Sequence, residues 1–354
     1  MPSPKQMQYP NHPFRGFTSD NSAGIQPQIL QAIIDANVDH VYAYGHDHYS
    51  DEAVAEFKHH FGDNIDVHFV TTGTAANVLA IAALVQHHEA VLCATDAHLN
   101  NRECAATERF VGCKVLAIPC PHGKLTVPLL QTQMVGFGDD HFSQPKMVAI
   151  TQANEHGLLY TVDEIRDIVE FAHANHLYVY IDGARYANAC ASLNISLKAM
   201  SADLGVDALN LGGTKNGLLY GEALIFFNPE LGKQFRYIRK QAMQTVSKMR
   251  FVAAQFTCYL REQIWLKNAQ HANQMARYFA NELAKVSKVD ITQEVDINII
   301  FARLPKSVIA PLQSSYPFHV ADANTGLVRL VTSFDTRLEE IDGFIITLKD
   351  LLNK

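Results

Sequence analysis

Short apolar segments alternate with helical segments through the first 230 residues. The apolar segments are continuous and rich in β-branched residues, and we predict strands at 67–71, 90–94, 114–119, 146–151, 177–182, 208–213 and 222–227. Helices are predicted at 75–87, near 101–111 and at 162–175. Continuously apolar strands separated by helices indicate a mainly parallel sheet covered on both faces. The pattern therefore predicts a large three-layer α/β/α domain.

The pattern changes beyond about residue 249. A long helical stretch runs to about 285, strand candidates follow at 296–303 and 327–332, and a helix comes last. We therefore predict two domains: the N-terminal segment with the large domain at 1–250, and a smaller C-terminal α+β domain at 251–354.

Composition narrows the class of protein. The net charge of −7 and the lack of a basic tract argue against binding to nucleic acid or to an anionic membrane surface. Six scattered cysteines without CxxC spacing favour reduced thiols in the cytoplasm, and we predict no metal site. The first 14 residues lack the basic and apolar parts of a signal peptide. We predict no membrane span, because no apolar stretch approaches the required length of about 20 residues.

Three polar motifs each follow the C-terminal end of a predicted strand, the edge where open parallel sheets bind ligands. The first motif, TGTAAN at 72–77, places Gly73 and Thr74 at the start of a helix. Exposed backbone N–H groups and the helix dipole favour a phosphate there. An ordinary helix cap explains the same residues, so this motif alone leaves both interpretations open.

The second motif, DGAR at 182–185, places a carboxylate at the end of a buried strand. Because an unpaired buried charge is costly, Asp182 needs a cationic partner. An internal ion pair with Arg185 is one candidate. The other is the protonated ring nitrogen of a pyridine cofactor, which the carboxylate would keep electron-poor.

The third motif, GGTKNG at 212–217, places Lys215 between glycines after another buried strand. A partly desolvated lysine amine is nucleophilic and forms a Schiff base with an aldehyde. A surface turn or a phosphate-binding loop is the alternative, although the segment does not satisfy the Walker A pattern GxxxxGK[ST]. Asp182 and Lys215, each following its own strand, together favour the Schiff-base interpretation.

The sequence resembles the threonine aldolase family of fold-type I enzymes, which use pyridoxal 5′-phosphate (PLP) and share the aspartate-aminotransferase-like fold. The resemblance extends from TSDN at 18–21 to VRLVT at 328–332 and is most specific from Tyr178 to Gly217. Besides the DGAR and GGTKNG segments, it includes YGHD at 44–47 and TTGTAAN at 71–77.

The resemblance implies which residues hold the cofactor. Lys215 would carry PLP covalently, and Asp182 would bind the pyridine nitrogen. Gly73 and Thr74 would bind the phosphate. Arg250, in KMRF, matches an arginine that reaches a cofactor phosphate, often across a subunit interface.

The resemblance also implies residues near the substrate. His98, in DAHLNNRE, matches a histidine that stacks on the pyridine ring and lies near the substrate hydroxyl. Arg185 and Arg329 match arginines near the cofactor and the substrate carboxylate, and Ser19 matches a serine that assists at that carboxylate. Tyr44 is a further substrate-binding candidate, for which a buried structural role is an equal alternative.

The sequence departs from the familiar pattern of the family at two places. The family's Glu-Asn-Thr-His segment, whose histidine faces the substrate, is replaced by QANEH at 152–156. Counting back from Gly157 puts Glu155 at the histidine position, whereas a slip of one residue restores His156, so both remain candidates for the catalytic base beside His98. The segment GGTKNG also replaces the usual SKG, which indicates a divergent branch.

The implied activity is aldol cleavage of a β-hydroxy-L-amino acid, such as threonine, allo-threonine or phenylserine, to glycine and an aldehyde. The implied assembly is a homodimer or homotetramer with shared active sites. A PLP-dependent β-eliminating lyase or aminotransferase is the alternative with the same fold and lysine. A nucleotide-binding or non-catalytic α/β protein is the alternative of another class.

Overall fold

The computed structural model describes residues 15–353. The first 14 residues, on which the signal-peptide prediction rests, lie outside the described residues. Two β-sheets organise the described chain. The first sheet contains β1 (Asp66–Val70), β2 (Glu89–Ala94), β3 (Lys114–Ile118), β4 (Gln144–Thr151), β5 (Tyr178–Gly183), β6 (Ala208–Gly212) and β7 (Glu222–Phe226). The second contains β8 (Asp290–Ile291), β9 (Ile299–Arg303), β10 (His319–Asp322) and β11 (Leu327–Val331).

Helices pack around both sheets. In chain order they are α1 (Pro27–Asp35), α2 (His48–Phe61), α3 (Gly73–Leu84), α4 (His98–Asn101), α5 (Ala106–Phe110), α6 (Val127–Gln131), α7 (Val162–Ala174), α8 (Tyr186–Leu193), α9 (Pro229–Gly232), α10 (Phe235–Gln241), α11 (Arg250–Arg261), α12 (Ile264–Ala284), α13 (Lys306–Ser315) and α14 (Leu338–Leu352). None of these helices is long and apolar enough to cross a membrane.

The large sheet is mainly parallel, as the sequence predicts. Its order is β1-β7-β6-β5-β4-β2-β3, in which only β7 is antiparallel to its neighbours. The central strands β5 and β6 are fully paired and apolar on both faces, which is why they appear in the sequence as uninterrupted apolar stretches. The three-layer α/β/α prediction is confirmed.

One predicted element is wrong in form. The helix expected near 101–111 is two short helices, α4 and α5, separated by a break. Cys104 and Ala105 both have positive φ values, 53° and 55°, which interrupt a right-handed helix. The break turns the preceding residue, Glu103, into the protein interior.

Two large hydrophobic cores lie along the described residues, with a small third cluster around Ile299 and Phe301. The first fills the large sheet and its helices and continues through α11 as far as Ala269. The second begins at Met275 and joins the later part of α12 to α13, α14 and the small sheet, together with Phe17. The division at 250/251 stays a prediction; the packing favours a boundary inside α12.

Candidate active site

Two of the predicted motifs meet at adjacent strand ends of the large sheet. Asp182 of β5 pairs in register with Asn210 of β6, and Lys215 lies in the short 3-10 turn that directly follows β6. The glycines of this segment permit the close approach: a Cβ on Gly212 would lie 2.8 Å from the backbone of Ala184. Glycine is therefore required for the turn to pack against the end of β5.

An open cavity of about 510 Å³ lies above these strand ends. Seven of the candidate residues line it: Ser19, His98, Glu155, His156, Arg185, Lys215 and Arg329. Side chains of the second sheet, including Phe301 and His319, close its other side. The cavity thus lies between the two sheets, and Lys215 is half-buried in it rather than exposed to bulk solvent.

Asp182 lies buried at the end of β5, next to the turn that carries Lys215. Its Oδ1 accepts a hydrogen bond from the backbone N–H of Ala184 at 3.1 Å, and its Oδ2 accepts one from Asn77 Nδ2 at 3.0 Å. Within residues 15–353, no lysine, arginine or histidine forms an ion pair with this carboxylate. A protonated pyridine nitrogen would supply the missing positive charge, so the site fits a PLP ring.

Arg185 is paired with a different acid from the one that the motif suggests. Its Nε donates to Asp20 Oδ2 at 2.7 Å and its terminal nitrogen donates to Asp20 Oδ1 at 2.9 Å, with both residues buried. The internal Asp182–Arg185 ion pair, kept open as an alternative, is therefore wrong. In the sequence, Asp20 appears only as part of the TSDN segment, and nothing there indicates this role.

His98 begins α4 and is half-buried at the cavity wall. Its Nδ1 donates to Glu103 Oε1 at 2.7 Å. This contact raises the pKa of His98 above its ordinary value; burial acts against the increase, while Glu155 and Asp182 add to it. Glu103 was missed from the sequence because the segment was predicted to be continuous helix.

Arg329 and Ser19 lie together in the wall of the same cavity. Arg329, on β11, donates to the carbonyl of Thr18 at 3.3 Å, while its Nε is buried without a partner in the described part of the chain. Burial and the neighbouring Arg185 lower the pKa of Arg329 from its usual value. An incoming carboxylate would satisfy this unpaired edge of the guanidinium group.

Glu155 and His156 both border the cavity. His156 Nε2 contacts Asp96 Oδ2 at 2.9 Å, and its backbone carbonyl accepts a hydrogen bond from Gln293. The negative charge of Glu155 acts on the pKa values of Arg185 and Arg329, which places it on the cationic side of the cavity. The geometry leaves both residues within the same cavity.

The predicted phosphate loop begins α3. Thr72 caps this helix by accepting from the backbone N–H of Ala75 at 3.1 Å, and a Cβ built on Gly73 would meet nothing within 4 Å. Gln244 anchors the loop through the backbone N–H and the hydroxyl of Thr71, at 2.9 and 2.7 Å. The N-terminus of α3 is thus fixed in position and has open space beside Gly73, an arrangement that suits a phosphate group.

Tyr44 and Arg250 do not line the cavity that contains Lys215. Tyr44 is half exposed and borders a second cavity of about 670 Å³ beside α10. Arg250 begins α11 and donates to the carbonyls of Val38 and Asp39 at 2.9 and 3.2 Å.

Glu222 is a further buried acid that sequence reasoning missed. It opens β7, where it accepts a hydrogen bond from the backbone N–H of Gly213 at 3.2 Å. Burial raises its pKa to about 7, although Thr214 and Lys215 act against that increase. In the sequence Glu222 is a single charged residue at the start of an apolar strand, and nothing in the pattern predicts its burial beside the lysine turn.

Comparisons with known proteins identify the family of the chain. The β-eliminating lyase family model matches residues 16–306. The chain is 39% identical over 326 residues to the low-specificity L-threonine aldolase of Pseudomonas aeruginosa, covering 92% of this chain and 94% of that protein.

Solved structures show the same architecture. A threonine aldolase structure from Leishmania major has a TM-score of 0.90 at 30% identity and covers 96% of this chain and 100% of that one. An alanine–glyoxylate aminotransferase from Nostoc sp., with a TM-score of 0.70 at 16% identity over 99% of each chain, shows the shared fold alone. The chain belongs to the β-eliminating lyase family and, within it, to the group of the threonine aldolases.

Proposed function

We propose that the protein is a PLP-dependent carbon–carbon lyase that cleaves β-hydroxy-L-amino acids, with threonine, allo-threonine and phenylserine as candidate substrates, to glycine and an aldehyde. The observation that carries this proposal is the single cavity that gathers Lys215, His98, Glu155 and Arg329 above Asp182. The identity to low-specificity L-threonine aldolases over nearly the whole chain supports the same reaction.

The residues at the strand ends would hold the cofactor. Lys215 offers its amine in the cavity, Asp182 offers a buried carboxylate for the ring nitrogen, and Gly73 and Thr74 offer the start of α3 for the phosphate. When bound, PLP supplies an electron sink for the pair released at Cα. The chain supplies binding, orientation and proton transfer.

The arginines would fix the orientation of the substrate. Arg329, with its unpaired Nε, and Ser19 would bind the α-carboxylate, while Asp20 keeps Arg185 in place beside them. Holding the carboxylate in one place determines which bond at Cα is aligned for cleavage. The Cα–Cβ bond then breaks as the β-hydroxyl loses its proton and becomes the aldehyde carbonyl.

Two proton positions are needed for this cleavage. A group near the β-hydroxyl accepts its proton, and Cα later receives a proton to give glycine. Glu155, His156 and His98 border the space where the hydroxyl would lie. We assign the acceptor role to Glu155, since its carboxylate has no hydrogen-bond partner within residues 15–353, whereas His156 is paired with Asp96.

A substrate panel tests the proposed reaction. The PLP-loaded protein is incubated separately with threonine, phenylserine, serine and tyrosine, and the products are assayed for aldehyde, glycine and pyruvate. We expect acetaldehyde or benzaldehyde with an equal amount of glycine. Pyruvate as the main product would instead establish a β-eliminating lyase, and conversion of an added keto acid to an amino acid would establish an aminotransferase.

We also propose that the protein is a homodimer or homotetramer in which Tyr44 and Arg250 serve the site of a neighbouring subunit. Exposed apolar side chains at Leu30, Ile34 and Val38, spaced at one helical turn along and just beyond α1, support an uncovered interface. The position of both residues outside their own chain's cavity supports it further.

Co-expression of Lys215→Ala and Arg250→Ala chains tests this assembly. If sites are shared, each mixed dimer contains one site with both native residues, and about a quarter of wild-type activity returns at random pairing. No recovery in mixed dimers isolated by two affinity tags would contradict the proposal.

We also propose a cytoplasmic location, because all six cysteines are free thiols.

A further inference from the structure

A chain of hydrogen bonds joins His98 to Asp182. Glu103 Oε1 accepts from His98 Nδ1 at 2.7 Å and from Asn77 Nδ2 at 2.7 Å. The same Asn77 nitrogen donates to Asp182 Oδ2 at 3.0 Å. Tyr180 completes the arrangement by donating its hydroxyl to Asn77 Oδ1 at 2.7 Å. All of these side chains except His98 are buried.

The amide of Asn77 has one workable orientation. Ionised carboxylates only accept hydrogen bonds, so the amide nitrogen must face Glu103 and Asp182. The Tyr180 hydroxyl then donates its hydrogen bond to the amide oxygen of Asn77. A flipped amide would place its oxygen against two carboxylates, which is repulsive. Asn77 therefore connects Glu103 to Asp182 in one orientation, which its hydrogen-bond donors and acceptors determine.

Glu103 is a buried acid whose ion-pair partner in residues 15–353 is His98. Its side chain is fully buried, and a charge in that position needs a nearby cation. The charged groups that face His98 are Glu103 from the loop before α5, Glu155 from the segment after β4 and Asp182 from β5. The other charged or titratable side chains of the same cavity are Asp96, Arg102, His156, Arg185, Lys215, His319 and Arg329.

The backbone at this point indicates that the position of Glu103 is held against local preference. Cys104 and Ala105, which follow it, both adopt left-handed φ values. Left-handed angles are unfavourable for residues other than glycine. This backbone conformation places the Glu103 carboxylate against His98 and Asn77.

We propose that Glu103 is a positioning residue that holds His98 as a protonated hydrogen-bond donor at the cavity wall and ties it through Asn77 to Asp182. This inference rests on the proposed function for its catalytic meaning. A histidine that already carries both ring protons donates from Nε2 and does not accept the proton of the β-hydroxyl. That task then falls to Glu155, the residue to which we assign it above.

Chemical modification of histidine tests the inference without an activity assay. Diethyl pyrocarbonate reacts with the unprotonated imidazole, so its rate at each histidine reports the protonation state of that ring. The PLP-loaded protein is treated across a pH series, and the peptide containing His98 is quantified by mass spectrometry. In Glu103→Gln we expect the midpoint for His98 to move to lower pH, with a rate at pH 6 about five- to tenfold higher than in the wild type.

Two further variants serve as controls. Glu103→Asp retains the charge and should restore part of the wild-type profile. Asp207→Asn removes a different acid that contacts a histidine, His173 Nε2 at 3.0 Å, and it should leave the modification profile of His98 unchanged. Asp207 lies at the opposite end of the sheet, just before β6.

The outcomes separate this inference from the proposed function. An unchanged His98 profile in a folded Glu103→Gln protein would overturn the inference. If that variant does not fold, a wild-type midpoint for His98 no higher than that of free histidine would overturn it as well. Borohydride reduction reports separately whether Lys215 carries the cofactor, and failure of that reaction in the wild type would instead refute the proposed function.

Discussion

Arg185 and Asp20 form a buried ion pair joined by two hydrogen bonds, at 2.7 and 2.9 Å, between the end of β5 and the N-terminal segment. Asn298 Nδ2 donates to the same Asp20 oxygen at 3.1 Å and brings in the second sheet. The pair thus connects three parts of the chain at the floor of the cavity. The charge of Arg185, a residue that we propose lies beside the substrate carboxylate, is thus already compensated within the chain.

Replacement of Asp20 should destabilise the protein strongly. Asp20→Asn leaves the Arg185 guanidinium buried without a counter-charge, and the free energy of unfolding should fall by about 3 to 5 kcal/mol at pH 7. Burial opposes ionisation of Asp20, but Arg185 and Lys215 outweigh it and hold its pKa below 3.8. The contribution is therefore present above pH 3.8 and is lost as the pH falls through the lower folded-state pKa. Urea unfolding at pH 7 and pH 3 should show the variant's deficit shrink; a deficit that does not change with pH would contradict this account.

Arg329 should act on substrate binding rather than on the chemical step. Arg329→Lys keeps the charge but loses the planar pair of donors, and we expect KM to rise by about 10- to 100-fold with a smaller change in kcat. Arg303→Lys on the neighbouring β9 is the matched control, since Arg303 is exposed and pairs with Asp290. Steady-state kinetics with threonine decide the matter. A fall in kcat at constant KM would remove Arg329 from the carboxylate site.

Glu155 and His156 should differ in their effect on kcat. If Glu155 accepts the hydroxyl proton, Glu155→Gln lowers kcat by about 10²- to 10⁴-fold, while His156→Asn has a much smaller effect. Both variants should retain the visible absorbance of the bound cofactor. The opposite ranking in single-turnover measurements of aldehyde release would transfer the role to His156.

The buried Glu222 should give the free energy of unfolding a second dependence on pH. Its pKa rises from 4.5 to about 7 in the folded protein, so the folded state retains the proton longer than the unfolded state. The resulting stability is fully present below pH 4.5 and is lost as the pH rises through about 7. The difference corresponds to at most roughly 3 kcal/mol.

Glu222→Gln removes this titration. Relative to the wild type, the variant should gain stability between pH 5 and pH 8 in urea unfolding, with Glu230→Gln on the exposed α9 as a control. A constant difference between variant and wild type over this range would show that Glu222 is ionised throughout.

Local pattern was sufficient for the strands and for the residues at their ends. Asp182 and Lys215 follow apolar strands that pair in a parallel sheet, and chain direction alone brings such ends together. The acids that support the site were not accessible in this way. Asp20 meets Arg185 across 165 residues of sequence, and Glu103 turns inward because two residues adopt left-handed angles. Both contacts depend on tertiary packing that periodicity does not encode.

The most direct test of the account is the chemistry of one amine. The purified protein is loaded with PLP, its visible absorbance is recorded, and it is then reduced with borohydride and digested for mass spectrometry. We predict a reduced cofactor adduct on Lys215, and loss of both the band and aldehyde release in Lys215→Ala. An adduct confined to another lysine, or a Lys215→Ala protein that keeps the band and still releases aldehyde from threonine, would contradict it.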